Sequence, residues 1–258
     1  MANITGTTNS DFFSSSEAYY LVGTTKVSLP SSSQTTASDD SVLAGSGNDT
    51  VLGDQGNDNL LGEDGNDSLS GQVGNDTLTG GAGVDTFVVD SGTDTITDLG
   101  SGGADVLQVS SGATANATIT AAYTATSAAT NAGTANLTTS GIAVNVAAAG
   151  GSEGWRITNI GGATTLTGGT RADVLQGGTG NDRLVGNAGD DTLTGGAGAD
   201  TFVVNTGTDT ITDLGSGGAD VLQVSSGATA NATVSAAYTA TVETSKAGTA
   251  HLTTSGSA

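Results

Sequence analysis

The chain has 258 residues, of which 42 are glycine, one is proline, none is cysteine and 3% are aromatic, which argues against a large conventional core and rules out a disulfide framework. Twenty-six acidic residues against 5 basic ones give a formal net charge of −21, and the cations Lys26, Arg156, Arg171, Arg183 and Lys246 are scattered. Nucleic acid needs clustered Lys and Arg and is excluded as a partner, so a cation is the expected one.

Residues 1–40 are rich in Ser and Thr, carry the sole proline, Pro30, and read as a leader or cap. They lack the basic and apolar regions of a secretory signal. No apolar run approaches the roughly 18–20 residues of a membrane-spanning helix, so no transmembrane segment is expected.

From 41 to 105 the chain repeats every nine residues. Asp49, Asp58, Asp67, Asp76, Asp85 and Asp94 mark the period. A glycine stands two places before each aspartate, and an apolar residue (Val51, Leu60, Leu69, Leu78, Phe87, Ile96) two places after. Residues 106–167 form a Thr/Ala/Gly-rich region in which ATITAAYTAT (117–126) and IAVNVA (142–147) carry strand signals. A second array occupies 168–220, with Asp173, Asp182, Asp191, Asp200 and Asp209, and Arg171 replaces the glycine before Asp173. Residues 221–258 repeat the tail. Residues 80–141 recur as 195–256 with 11 differences in 62 positions, so the chain is two tandem modules, and repeats of this kind signal a solenoid.

The nonad has a physical reading as six turn residues and three strand residues. Glycine permits positive φ and close backbone approach in the turn, while a strand triplet such as Thr77–Leu78–Thr79 turns one side chain inward. Two nonads make one 18-residue coil, so turns on the same edge stack at about 4.8 Å. Asp49 then falls near Asp67, Asp58 near Asp76, Asp67 near Asp85, and Asp76 near Asp94. Stacked like charges repel unless neutralised. A hard cation that accepts carboxylates and carbonyls flexibly would do so; calcium fits, magnesium fits less well, and no His or Cys cluster suits zinc. Pairing two repeats apart gives about four sites in the first array and about three in the second. The arrays are expected to be mostly disordered without calcium and to fold with it. Asp105 and Asp220 follow a two-residue insertion, and ligation there is left open.

GGAGVDTFV (80–88), GGTGNDRLV (177–185), GNAGDDTLT (186–194) and GGAGADTFV (195–203) resemble the RTX nonapeptide G-G-x-G-x-D-x-U-x, the hemolysin-type calcium-binding repeat. The resemblance implies a right-handed parallel β-roll, several Ca2+ ions, and export by a type I secretion system that handles the unfolded chain and carries no cleaved N-terminal signal. The family's C-terminal export signal is not recognisable here, because the last residues repeat AGTANLTTSG (132–141), and a piece of a longer protein is the favoured explanation.

Two functions are expected from different classes. The first is a non-enzymatic calcium-binding module of a secreted or cell-surface structural protein, similar to surface-layer proteins and adhesins, with self-association or a cell-surface polymer as partner. The second is the calcium-binding export domain of an RTX enzyme or toxin. GGSEG (150–154) matches the serine-hydrolase elbow, but WRITNI after it reads as strand rather than helix, and the sole histidine, His251, has Asn136 as its counterpart. Catalysis by Ser152 is not expected.

Overall fold

The computed structural model describes residues 39–236, 238 and 245–254, and earlier in the chain the backbone of four strands, Asn3–Thr5, Phe12–Ser14, Tyr19–Val22 and Thr25–Ser28. The rest of the expected N-terminal leader lies outside the described residues. The fold is an all-β parallel solenoid, and no helix occurs among the described residues. Two compact units are present, Met1–Ala121 with Ala125–Ala135, and Ala122–Thr124 with Asn136–Ala258.

In the first unit, Ser41–Ser46, Asn59–Asp64, Thr77–Ala82, Thr93–Leu99 and Thr114–Ile119 pair in parallel as one sheet. Thr50–Leu52, Ser68–Ser70, Thr86–Val89, Val106–Val109 and Thr130–Asn131 pair likewise as a second. Successive strands of one sheet are two nonads apart: Leu60 pairs Leu78, and Leu69 pairs Phe87. The nonad therefore alternates between sheets and closes one coil every 18 residues.

The second unit repeats this plan. Trp155–Asn159, Val174–Thr179, Thr192–Ala197, Thr208–Leu214, Thr229–Val234 and Thr249–Thr254 form one sheet. Tyr123–Thr124, Val144–Asn145, Thr165–Thr167, Arg183–Val185, Thr201–Val204, Val221–Val224 and Ser245–Lys246 form the other.

The single apolar residue of each nonad builds the core. Val42, Leu60, Leu78 and Ile96 stack in register on one sheet, and Val51, Leu69, Phe87 and Leu107 on the other, all fully or almost fully buried. Each such burial stabilises the fold by about 1.5–3 kcal/mol. The tails continue the same pairing with smaller residues. Ile96 pairs Ala117, Ile211 pairs Ala232, and both alanines are buried. Tyr123 and Trp155 supply the bulk that alanine lacks.

The strands of the arrays exceed the expected three residues most on one sheet. There they run six residues, through the first half of the turn, as in Thr77–Ala82, whereas the other sheet keeps short strands such as Ser68–Ser70. Pairing resumes beyond a one-residue break, with Leu61 against Thr79 and then Glu63 against Gly81. Gly81 sits there at φ +99, with no room for a side chain against the Glu63 carbonyl.

Candidate metal centre: the aspartate ladders

Each turn is shaped around its aspartate by glycine. A Cβ added at Gly53, Gly62, Gly71 or Gly80 would fall on the Oδ2 of Asp58, Asp67, Asp76 or Asp85, five residues on. Gly177, Gly186 and Gly195 stand in the same relation to Asp182, Asp191 and Asp200. At Gly53, Gly62 and Gly177 the same position also meets the carbonyl oxygen of the equivalent residue one coil later, Gly71, Gly80 and Gly195 respectively. A carboxylate oxygen and a carbonyl oxygen thus converge beside a glycine that has no side chain to separate them.

The aspartates pair at the expected interval. The backbone N–H groups of Asp49, Asp58, Asp67 and Asp76 donate to the Oδ1 of Asp67, Asp76, Asp85 and Asp94 at 2.8, 2.7, 2.8 and 3.0 Å. Those of Asp173, Asp182 and Asp191 donate to Asp191, Asp200 and Asp209 at 2.8, 2.8 and 3.1 Å. These bonds fix every carboxylate against the coil before it, and leave its other oxygen facing inward. The Oδ2 atoms of Asp58, Asp67, Asp76, Asp85, Asp94, Asp182, Asp191, Asp200 and Asp209 are buried with no hydrogen-bond donor. A buried acceptor without a donor costs about 1–3 kcal/mol, and a charged one costs more.

The electrostatics express the same conflict. Burial, partly offset by the backbone N–H donors, pushes Asp58, Asp67, Asp85, Asp200 and Asp209 up to about 6. Asp94 rises to about 7 through burial first and then Asp76 and Asp90, and Asp191 rises to about 7 through burial first and then Asp209, Asp173 and Asp190. Asp76 and Asp182 are raised too, again mainly by burial. A divalent cation among the Oδ2 atoms would reverse this, since it favours the ionised form.

The ends of the ladders look different. Asp105 and Asp220 lie at the inserted turns, and their Oδ2 atoms accept the N–H of Gly100 and Gly215 at 2.8 and 2.6 Å. Asp173 accepts from Trp155 and Gly169, both at 2.6 Å. Two residues that the nonad pattern does not single out complete the terminal turns. Asp98 accepts the N–H groups of Gly80 and Gly81 at 3.0 and 2.8 Å, and Asp213 those of Gly195 and Gly196 at 2.9 and 2.7 Å. Their signal was their register, 18 residues after Gly80 and Gly195, where another glycine would stand. The asparagines before Asp49, Asp58, Asp67 and Asp76 have a separate task. Asn48, Asn57, Asn66 and Asn75 accept the N–H one coil later, at 2.8–2.9 Å, along the exposed edge.

Among the described residues no cluster of three or more His, Cys, Asp or Glu side chains is placed to hold a metal. The oxygens that do converge are of two kinds, aspartate Oδ2 and glycine carbonyl. A mixed set of carboxylate and carbonyl oxygens is of the kind that calcium accepts. Ser152 is exposed and leads into the strand Trp155–Asn159, so the strand-to-helix elbow that G-x-S-x-G requires is not formed.

Ladders of buried carboxylate oxygens without donors, stacked along glycine turns, mark a parallel β-roll whose turns present oxygens suited to a cation. The family model for the RTX calcium-binding nonapeptide repeat matches this chain in four copies, at residues 34–60, 61–96, 160–193 and 176–211. The chain thus carries RTX calcium-binding nonapeptide repeats, which bind Ca2+ at several sites. Among curated proteins none matches it.

Proposed function

We propose that the chain is a calcium-gated folding module of a protein that works outside the cell or on its surface, in a structural rather than catalytic role. Asp58, Asp67, Asp76, Asp85 and Asp94 hold the ions of the first ladder and Asp182, Asp191, Asp200 and Asp209 those of the second, with Asp49 and Asp173 as the first rungs. The row of buried Oδ2 atoms without donors carries this reading. Low calcium keeps the arrays open, which suits passage of an unfolded chain through type I secretion machinery; calcium outside closes them. The net charge of −21 favours a dispersed chain until calcium neutralises it, and neutralisation permits self-association.

Calorimetric titration with calcium, with magnesium as the control and light scattering alongside, tests the reading. It predicts about seven ions, following the pairing of aspartates two repeats apart, and scattering that rises only after they bind. Uptake of one ion or none, or equal uptake of magnesium, would sink the ligand assignment. A chain that stays monomeric when saturated would remove the surface-assembly part and favour an export domain.

A further inference from the structure

We propose that Asn159 is a built-in substitute for a cation, which lets the coil that opens the second ladder fold without calcium. The proposal rests on the reading of the aspartate turns as calcium sites and extends it to a turn that lacks an aspartate.

Asn159 stands 18 residues before Gly177, in the place that glycine takes in the arrays, and Thr164 stands where Asp182 would lie one coil later. The Thr164 N–H donates to Asp182 Oδ1 at 2.7 Å, so this turn keeps the ladder's backbone register. Its interior is changed. In the coil that follows, the carbonyl of Gly195 and the Oδ2 of Asp182 converge beside Gly177, and neither is a donor. One coil earlier the matching carbonyl, that of Gly177, meets the side-chain amide of Asn159 instead. Its Nδ2 lies 2.5 Å from the Gly177 oxygen, 2.8 Å from that of Gly162 and 3.3 Å from that of Gly161. The Asn159 Oδ1 faces the opposite way and accepts the N–H groups of Gly141 and Gly161 at 2.7 and 3.0 Å.

The surroundings leave one orientation for this amide, with carbonyls on the nitrogen side and N–H groups on the oxygen side. Asn159 is almost fully buried. A neutral amide thus brings positive hydrogens to the carbonyls that a cation would otherwise serve, and adds no charge of its own. The removal of the aspartate at 164 belongs to the same change, since an amide next to an unpaired carboxylate would not balance it. The strand and turn 155–164 are therefore a metal-independent template on which the calcium-loaded turns that begin at Asp173 and Asp182 stack.

The test uses the full chain and three forms: the wild type, Asn159→Asp and Asn159→Leu. Hydrogen exchange is followed at peptides that contain Gly141 and Gly161, in chelator and in calcium, together with the number of ions bound. In chelator the wild type keeps these amides protected while those of Asp191 and Asp200 exchange. Asn159→Asp loses at least about tenfold in protection in chelator, the equivalent of one buried hydrogen bond; it regains protection with calcium and binds about one more ion. Asn159→Leu loses protection in both conditions. Wild-type amides that exchange freely in chelator overturn the proposal. So does an aspartate variant that matches the wild type in chelator, or that calcium restores no better than the leucine variant. A wild type that takes up no calcium at all overturns the underlying reading and this proposal with it; full uptake by the arrays with no gain in Asn159→Asp overturns this proposal alone.

Discussion

At the scale of single residues, each turn pairs a glycine with an aspartate, and both halves of the pair can be tested. Gly62→Ala would place a methyl group on Asp67 Oδ2 and against the Gly80 carbonyl. It should lower stability in calcium by about 1–3 kcal/mol and remove about one bound ion; a thermal melt and a titration on the same sample check both. Asp191→Asn separates charge from shape. In calcium it should cost an ion and lower Tm. In chelator at neutral pH it should increase the residual β signal over that of the wild type, because it removes a buried carboxyl whose pKa is raised to about 7 by burial and by Asp209, Asp173 and Asp190. A variant that is destabilised in both conditions would show that the carboxylate has a structural hydrogen-bonding role and no repulsion to relieve.

The nine-residue spacing made the aspartates legible. The 18-residue pairing followed from two strands per coil, and Asp67 to Asp85 stands as that spacing requires. Asn159, Asp98 and Asp213 were legible only as departures from the 18-residue register, because each breaks the pattern that draws attention to the others. They matter because they occupy the first-glycine register with a side chain, and only the coil geometry shows what that side chain meets.

At the scale of elements, a strand is held by one apolar residue per nonad and by its neighbours two nonads away. Leu193 is fully buried between Leu175 and Ile211. Leu193→Ala should cost about 2–5 kcal/mol in calcium, read from denaturant midpoints. The tails depend less on bulk: Ala117 and Ala232 sit where the arrays place Leu or Ile, in coils of more than 18 residues, with Thr93 paired to Thr114 and Gln108 to Thr130. Composition indicated strands in these tails, and strands are present, as at Thr114–Ile119 and Thr229–Val234. Their register was hidden, since Thr, Ala and Gly alternate without a single marked residue per period. IAVNVA also yields less strand than its alternation suggests, with only Val144–Asn145 paired. There the Asn145 side chain accepts the N–H of Ala147 at 2.9 Å and bends the chain into a turn.

At the scale of the whole molecule, the accumulated aspartates make folding depend on pH as well as on calcium. An acid whose folded pKa lies above its free value holds more protons when folded, so stability falls as pH rises. Here the carboxyls rise from 3.8 to about 6 or about 7, through burial first. Their favourable contribution is fully present below 3.8 and is lost as pH climbs through 6–7. In chelator the roll should therefore fold more completely at pH 4 than at pH 7, and calcium should close that gap, because it binds the ionised form. Denaturation curves across this range in chelator and in calcium check the sign; a chelated protein more stable at pH 7 than at pH 4 would contradict it.

The most direct measurement of the central claim is circular dichroism at neutral pH, from chelator through added calcium, with magnesium as the control. A cooperative gain of β signal with calcium alone, completed as the ladders fill, is the expected result. The same spectrum in chelator and in calcium, or an equal response to magnesium, would contradict it.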